Sequence, residues 1–305
     1  MSRTKPGRSP QPTLRPSLGL RFAREFFASK IAVFAALAAF CLVAGALFAP
    51  WIAPQNPYDL MQLDVMDARL PPGSEAMSTG LIYWLGTDAQ GRDLLSGILY
   101  GLRISLVVGI GSALCAFIFG TAMGLAAAYF GGRVDALIMR SVDLMLSFPS
   151  ILVAMMILAF LGKGILNVLL VLVVIEWAYY ARTVRGQALT ERGKEYIEAA
   201  QCLMLPSWRV VVRHLLPNCL PPLIVVATLQ VARAISLEAT LSFLGLGVPI
   251  TEPSLGLLIS NGFQYMLSGE YWISFFPGVA LLITVITINL IGDRLRDLFN
   301  PRLRR

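Results

Sequence analysis

Residues 195–218, EYIEAAQCLMLPSWRVVVRHLLPN, form a polar interruption between two long apolar runs. The stretch holds four charged residues and the only histidine of the chain. Its first half predicts a helix that begins with acidic residues, which complement the positive end of a helix dipole. Tyr196, Ala200 and Leu203 recur at i, i+4 and i+7 and should share one face of that helix.

The second half of the stretch predicts a break and a return. Leu205 precedes Pro206, which disfavours its α conformation, so the first helix should end there. A second short helix, SWRVVVRHLL, follows, and residues 216–218 are expected to turn the chain into the next apolar run. We therefore expect a helix–turn–helix that lies in water.

The rest of the chain has the composition of a membrane protein. It is 56% hydrophobic and 14% charged, with a mean hydropathy of +0.70, whereas soluble domains are about a quarter charged. Several apolar runs reach the roughly 20 residues that a membrane helix needs. A β-barrel would alternate apolar and polar residues, which this sequence does not do. The fold class predicted is therefore an all-α integral membrane protein.

Six transmembrane helices are predicted. We expect a cytoplasmic N-terminal tail at 1–30, the first span at 31–53, an extracytoplasmic insert at 54–100, a core at 101–292 with a loop at 182–217, and a cytoplasmic tail at 293–305. Within the core, spans are expected at about 103–126, 142–161, 165–181, 221–243 and 273–292, and the span at 142–161 is kinked by Pro149.

The distribution of charge orients these spans. Lys and Arg concentrate in the loop at 182–217, whereas the insert at 54–100 has six acidic and two basic residues. Because cytoplasmic loops are enriched in Lys and Arg, both termini should be cytoplasmic. The first span could also be a signal peptide cleaved after AGA at 44–46. An apolar run that continues to Ile52 favours an uncleaved anchor.

The sequence lacks the residues that several classes of function require. The net charge of +7 follows the positive-inside pattern, so we expect no nucleic-acid partner. The four cysteines have no CxxC spacing and are interpreted as small apolar residues. No P-loop, HExxH or GxSxG sequence occurs, and a single histidine provides too few ligands for a catalytic metal site. We therefore predict no catalytic residue, no metal site and no cofactor.

The opening stretch resembles the EAA motif of binding-protein-dependent ABC importers. The matching residues are Glu198, Ala199, Ala200, Leu215, Leu216 and Pro217. Further stretches resemble the C-type permease of the dipeptide/oligopeptide/nickel subfamily: LGTDAQGRDLLSGILYGLRISLVVG at 85–109, YFGGRVDALIMRSVDLMLSFPS at 129–150, EATLSFLGLGVP at 238–249, and NLIGDRLRDLFNPRLR near the C-terminus. The resemblance covers nearly the whole chain from about residue 25.

This resemblance implies a type I ABC importer permease in the bacterial inner membrane. The family's partners are a second, B-type permease chain, two ATP-binding subunits and an extracytoplasmic solute-binding protein. ATP and Mg²⁺ are bound by those subunits, and the EAA helix docks in a cleft of the ATPase. Peptides are the default solute, with nickel chelates, glutathione, opines and oligosaccharides left open. Transport would proceed by alternating access.

One position departs from the family's pattern. The glycine of the EAA motif falls at Met204, where a left-handed conformation would cost a non-glycine residue about 1–2 kcal/mol. We hypothesise that Pro206 makes the turn instead, through its effect on Leu205. On that hypothesis Pro206→Ala should damage coupling to the ATPase more than Met204→Gly.

Three ionisable residues fall inside predicted spans. Arg233 and Glu238 lie about 140° apart on one helix, so they should not pair with each other. Each could line the solute pathway or make a structural contact with a neighbouring helix. Glu176 is expected near the inner interface, where it would snorkel or cap. His214, in the loop, is assigned a structural or docking role.

A second class of function remains open. A self-sufficient secondary transporter or channel would need its own coupling-ion site and often an inverted repeat. The sequence shows no convincing repeat and few intramembrane carboxylates. A membrane enzyme would need a nucleophile–base or metal constellation, which the sequence lacks.

Overall fold

The computed structural model describes residues 24–59, 61, 63–77, 80–249 and 251–299. Most of the N-terminal tail and the end of the C-terminal tail lie outside the described residues. Eleven α-helices follow in the described chain: α1 Lys30–Leu47, α2 Ala49–Ile52, α3 Leu94–Phe130, α4 Gly132–Ser147, α5 Ser150–Leu161, α6 Ile165–Arg192, α7 Glu195–Cys202, α8 Ser207–Val210, α9 Leu216–Phe243, α10 Leu255–Phe263 and α11 Trp272–Phe299.

Shorter elements complete the described chain. Residues 24–27 are also helical. Strands β1 Ser74–Glu75 and β2 Ile82–Tyr83 pair antiparallel within the insert. Turns of 3₁₀ helix occupy Val65–Asp67 and Met266–Ser268, and a π-helical segment, Val211–Leu215, joins α8 to α9.

Five described helices are long and apolar enough to cross a membrane: α1, α3, α6, the helical stretch Ser207–Phe243, and α11. The pair α4 and α5 makes a sixth crossing if the two are counted as one span, and they are bent by 95°. The sequence predicted one kinked span at 142–161. The correction has a local cause, because Phe148, which precedes Pro149, is extended with ψ 146° and separates two helices.

The second span is longer than predicted at both ends. Asp93 caps α3, since its Oδ2 accepts from the Ser96 N–H at 2.8 Å and from Ser96 Oγ at 2.6 Å. At the other end, Gly131 with φ 64° terminates the helix. The predicted core boundary at residue 101 therefore falls inside α3.

The predicted turn at 216–218 is absent, which corrects a second expectation. The described chain is helical from Ser207 through Phe243, with Pro217 in the first turn of α9. A proline ring clashes with the carbonyl four residues earlier in a regular helix. The wider π-helical segment lies just before this proline, and the Leu216 N–H bonds to the Val211 carbonyl within it.

Glycines let the long helices touch. A Cβ added to Gly120 would come 2.4 Å from the Trp177 carbonyl oxygen, and one at Gly124 would come 2.5 Å from that of Ala181. These contacts bring α3 and α6 together along the centre of the fold. A Cβ at Gly109 would meet Ile235 at 2.4 Å, so α9 packs against the same helix.

The first span belongs to this packed body. Ala46 is buried in a cluster with Ile98 and Leu102 of α3, and the Gly45 backbone lies against Leu99. The first helix therefore covers part of α3, and the uncleaved anchor stays a prediction from the sequence.

The acidic insert is a folded cap in the described residues. Asp67 is buried and accepts hydrogen bonds from the Met77 N–H at 3.1 Å and from Tyr83 Oη at 3.0 Å. Asp88 accepts from the N–H groups of Gln90 and Arg92, and its burial raises the pKa of its carboxyl. These acids shape loops instead of presenting charge to water.

Candidate functional site

The predicted coupling loop, residues 182–217, begins in α6 and contains α7. Ile197 and Ala200 are buried in the same apolar cluster as Ala128 and Val184. Tyr196 and Leu203 are exposed, and Leu203 lies beyond the last residue of α7, so the three residues predicted to share a face do not form a packed surface of this helix. The helix packs instead through an i, i+3 pair, which its short length favours over a stripe of two full turns.

The motif residues Glu198 and Ala199 lie on the uncovered side of α7. Both are exposed, and the Glu198 carboxylate makes no ion pair with any described residue. Ala200 faces inward and brings the helix backbone close to the body of the protein. One side of α7 is thus fixed and the other is free for contact.

Met204 itself makes the turn that was assigned to Pro206. Its φ is +52°, in the left-handed region, and the Leu205 N–H donates to the Ala200 carbonyl at 3.3 Å. This six-to-one hydrogen bond defines a Schellman end, in which the residue after the helix cap is left-handed. The hypothesis that Pro206 replaces the missing glycine is therefore wrong. Pro206 instead lies at the start of α8.

A buried carboxylate that the sequence analysis missed holds α7 in place. Glu191 accepts from Lys194 Nζ at 2.7 Å and from Tyr196 Oη at 2.6 Å. Desolvation and the hydrogen bond to Glu191 raise the pKa of the Tyr196 phenol to about 12. The signal was present in ERGKEY, where an acid precedes a lysine by three residues and a tyrosine by five.

Arginines connect the same loop to the membrane helices. Arg185 Nη2 donates to Asp135 Oδ2 at 2.6 Å, and Arg182 pairs with Asp143, so α6 is linked to α4 twice. Arg192 Nη1 donates to the Ala128 carbonyl of α3 at 2.9 Å. The cytoplasmic end of α6 is therefore tied to both α3 and α4.

The loop also exposes apolar side chains. Met204 is 91% exposed and Trp208 is 64% exposed, and Leu203 and Val212 are exposed beside them. Trp208 borders an apolar cavity of about 810 Å³ between the end of α3 and the start of α9. Leu215 is buried, whereas Pro217 is exposed and His214 is half-buried. An apolar surface of this kind in a loop is typical of a protein contact.

Glu238 is enclosed in what we call the serine cage. It is fully buried, and its oxygens accept from Ser105 Oγ at 2.8 Å and from Ser242 Oγ at 2.7 Å. Ser254 is a third hydroxyl partner. The cage joins α3, α9 and the segment before α10. This geometry favours the structural role for Glu238 over a place in the solute pathway.

Arg233 lies in a partly open site with Tyr179 and Ser150, and we call these three residues the arginine cluster. Its guanidinium carbon lies 4.3 Å from the centre of the Tyr179 ring, and Nη2 donates to Ser150 Oγ at 3.1 Å. The residue is partly exposed and makes no ion pair with a described acid. Arg233 and Glu238 do not contact each other, as their spacing predicted.

The structure corrects the expectation for Glu176. This residue lies well inside α6 and is fully buried, and neither carboxylate oxygen has a hydrogen-bond partner among the described residues. It therefore neither snorkels to the interface nor caps the helix. The predicted span 4 ended at 181, whereas α6 continues to Arg192, so Glu176 is deeper than expected.

The chain is similar to known transport proteins. Residues 116–305 match the family described as binding-protein-dependent transport system inner membrane component, and residues 17–72 match the N-terminal TM domain of oligopeptide transport permease C.

Three relatives illustrate the range of similarity. The probable D,D-dipeptide transport system permease protein DdpC of Escherichia coli is 39% identical over 84% of this chain and 82% of its own. The di/tripeptide transport system permease protein DppC of Pseudomonas aeruginosa is 37% identical over 95% and 94%. The glutathione transport system permease protein GsiD of Pectobacterium atrosepticum is 35% identical over 93% and 91%.

A solved structure shares the fold. A chain of the MetNI methionine ABC transporter, in an inward-facing conformation, superposes with a TM-score of 0.54 at 24% identity. The match covers 66% of this chain and 96% of that chain.

Proposed function

This chain belongs to the family of binding-protein-dependent transport system inner membrane components, and we propose how it works as the permease subunit of a peptide ABC importer. Its fold is that of a type I importer permease in the inner membrane. The subunit is not catalytic. It forms half of a solute pathway that opens alternately to either side.

The proposed partners follow from the division of labour in such importers. A second, B-type permease would supply the other half of the pathway, and two ATP-binding subunits would bind ATP and Mg²⁺. An extracytoplasmic solute-binding protein would deliver the solute above the insert. With the loop at 182–217 next to the ATPases, both termini of this chain would be cytoplasmic.

The observation that carries this proposal is the two-sided character of α7. Its inner side is fixed by Ile197, Ala200 and the Glu191 contacts, and its outer side presents Glu198 and Ala199. Next to it, Met204 and Trp208 are exposed apolar groups in a loop that should be in water. A soluble ATPase with a groove would bury them, in the manner of a helix held in a groove.

Transmission would then use the contacts already described. Closure of the ATPases would displace α7, and the displacement would pass through Glu191 to α6 and through α8 to the long helix that carries Arg233. Leu215 and Pro217 of the motif would act by fixing the start of that helix. No chemistry is required of this chain, because the free energy comes from nucleotide bound elsewhere.

The solute is proposed to be a di- or oligopeptide or a related small molecule. Relatives that are 35–39% identical carry names for dipeptides, di/tripeptides and glutathione. These solutes share a peptide bond and at least one free carboxylate. The solute-binding protein would make the finer selection.

The test is a purification from native membranes in mild detergent through a C-terminal tag. We expect two ATP-binding subunits and a second permease to co-purify with the wild type, and Glu198→Lys to lose the ATPases. Glu75→Lys, an equal change of charge on an exposed residue of the insert, is the control and should keep them. A chain that purifies alone and still moves a solute in liposomes would be a self-sufficient transporter.

A further inference from the structure

Arg233 of the arginine cluster forms no ion pair with an acid in the part of the chain that the structure describes. Arg233 is an intramembrane cation with a serine hydroxyl and an aromatic ring as its described partners. A guanidinium has five N–H donors, so most of them are unused here. Charges at such depth are expensive and usually serve a binding site or a pathway.

The local field around Arg233 also favours an anion. Ser150 is the first residue of α5, a helix of 12 residues, and the positive end of that helix points at the same place as the guanidinium. The break that creates this helix start is the 95° bend at residues 148–149. Two sources of positive potential therefore lie together at the bend, and no described acid forms an ion pair with Arg233.

Glu176 is the acid on the facing helix, and it does not fill that role. It lies three residues before Tyr179 on α6 and interacts electrostatically with Arg233, but the two make no ion pair. Its side chain is sealed inside the protein, whereas Arg233 is partly exposed. A solute that reached Arg233 from outside the helix bundle would not displace Glu176.

The surface beside Arg233 includes polar side chains. Ser236 is half-buried and Thr240 is exposed, and both lie on the Arg233 side of α9 at i+3 and i+7. Leu229, at i−4 on the same side, is also exposed, so this face mixes polar and apolar groups. By contrast, α1 exposes Phe34, Leu37 and Phe40, as a helix facing lipid does.

We propose that Arg233, positioned by Tyr179 and Ser150, binds the carboxylate of the solute as it passes through the membrane. The proposal rests on the importer function and adds the chemical class of group that this chain recognises. A carboxylate can take two parallel N–H bonds from one guanidinium, which fixes its orientation as well as its place. One cation suits a monoanion, so a singly charged carboxylate fits better than a phosphate.

The site can be tested without the solute-binding protein, which would otherwise select the ligand first. The complex of both permeases and ATPases is purified in nanodiscs, and binding is followed by saturation-transfer-difference NMR. The probes are glycyl-glycine, which has a free carboxylate, and glycyl-glycinamide, which does not. We expect the first to bind the wild type at least roughly tenfold more tightly than the second.

The variants are Arg233→Gln, Arg233→Lys and Arg140→Gln. Arg140 is exposed on α4 and serves as a matched loss of one guanidinium elsewhere. We expect Arg233→Gln to abolish the preference for the free carboxylate, Arg233→Lys to keep part of it because the charge remains, and Arg140→Gln to keep all of it. Equal binding of both probes to the wild type, or an unchanged preference in Arg233→Gln, overturns the proposal.

Further outcomes distinguish this proposal from an interface role of Arg233 and from failure of the importer function. If Arg233→Gln loses the second permease and Arg233→Lys retains it, the arginine pairs with an acid of that subunit and the solute site is refuted. ATP-driven uptake of glycyl-glycine into proteoliposomes, with the binding protein present, tests the importer function separately. Because the binding protein selects the solute first, the informative value is the maximal rate, and an equal maximal rate in wild type and Arg233→Gln refutes the site alone. Binding through Arg233 without ATP-driven uptake refutes the peptide-importer function alone.

Discussion

Two charged residues of α9, Arg233 and Glu238, lie five positions apart and have opposite surroundings. Glu238 is sealed in the serine cage, where hydroxyl groups from three parts of the chain satisfy its oxygens. Arg233 is partly open and keeps most of its donors unused. Both sit on one helix at comparable depth, so depth alone does not determine what an intramembrane charge does.

The difference lies in how completely each group is satisfied. A buried charge with all its partners supplied by its own chain holds helices together, and removing a partner leaves donors without acceptors. A charge with spare donors and an open side is available to something else. The comparison assigns a structural role to Glu238 and a binding role to Arg233. Two substitutions test that assignment, and two more extend the comparison to the coupling loop.

The largest effect is expected from Glu238→Ala. Three serine hydroxyls would lose their acceptor and a cavity would open where α3 meets α9, so stability should fall by about 3 kcal/mol. The measurement is the thermal unfolding midpoint of the purified complex. Ser105→Ala, which removes one donor, should show a smaller loss. A Glu238→Ala complex as stable as the wild type would show that the cage is not structural.

Arg233→Gln should cost less stability, about 1.5 kcal/mol, because one cation–π contact and one hydrogen bond are lost. The same unfolding assay gives the value beside that of Glu238→Ala. A loss equal to or larger than that of the glutamate variant would reverse the comparison and make Arg233 the structural charge.

Tyr196→Phe extends the comparison to a satisfied contact outside the membrane. The substitution removes the bond to Glu191 at 2.6 Å and should loosen α7 by about 1 kcal/mol. Hydrogen exchange of the α7 amides measures the change, and Tyr58→Phe in the insert is the control. Unchanged protection of α7 would mean that Glu191 does not position the coupling helix.

The smallest effect should be a gain from Met204→Gly. The left-handed φ of +52° costs methionine about 1–2 kcal/mol, and glycine would avoid this cost. Glycine also loses more backbone entropy on folding, so the net gain in stability should be about 0.5 kcal/mol. Pro206→Ala should be nearly neutral by comparison. The unfolding of isolated complexes and their ATPase rates measure both. A greater loss of coupling in the proline variant would restore the hypothesis drawn from the sequence.

Much of the fold could be predicted because lipid restricts the choices. Long apolar runs identified the membrane helices, and the distribution of charge predicted their orientation. The helix boundaries were harder to predict, because polar residues at the ends of α3 and α6 are stabilised by contacts that the sequence does not show. Asp93 caps α3, which begins nine residues before the predicted start, and Glu191 makes contacts at the end of α6.

The site was predicted as a motif but not as a geometry. The EAA residues were located from the resemblance, yet which of them face inward depends on the neighbouring helices. Met204 was correctly singled out as unusual, and its turn was then assigned to the wrong residue because propensity disfavours a left-handed methionine. Tertiary contacts of Ala200 and Leu205 outweigh that preference. The spacing of Glu191 from Lys194 and Tyr196 could have predicted their contacts, but the prediction concentrated on the EAA motif.

The unbroken helical stretch from Ser207 to Phe243 has a mechanical consequence. At 1.5 Å per residue, Trp208 lies about 45 Å from Glu238 along this rod, and Arg233 lies about 7.5 Å from it. If this helix pivots at the serine cage, a displacement of Trp208 is about six times the displacement of Arg233. A tilt that carries the cytoplasmic end through about 8 Å would shift Arg233 by about 1.3 Å, enough to make or break one hydrogen bond.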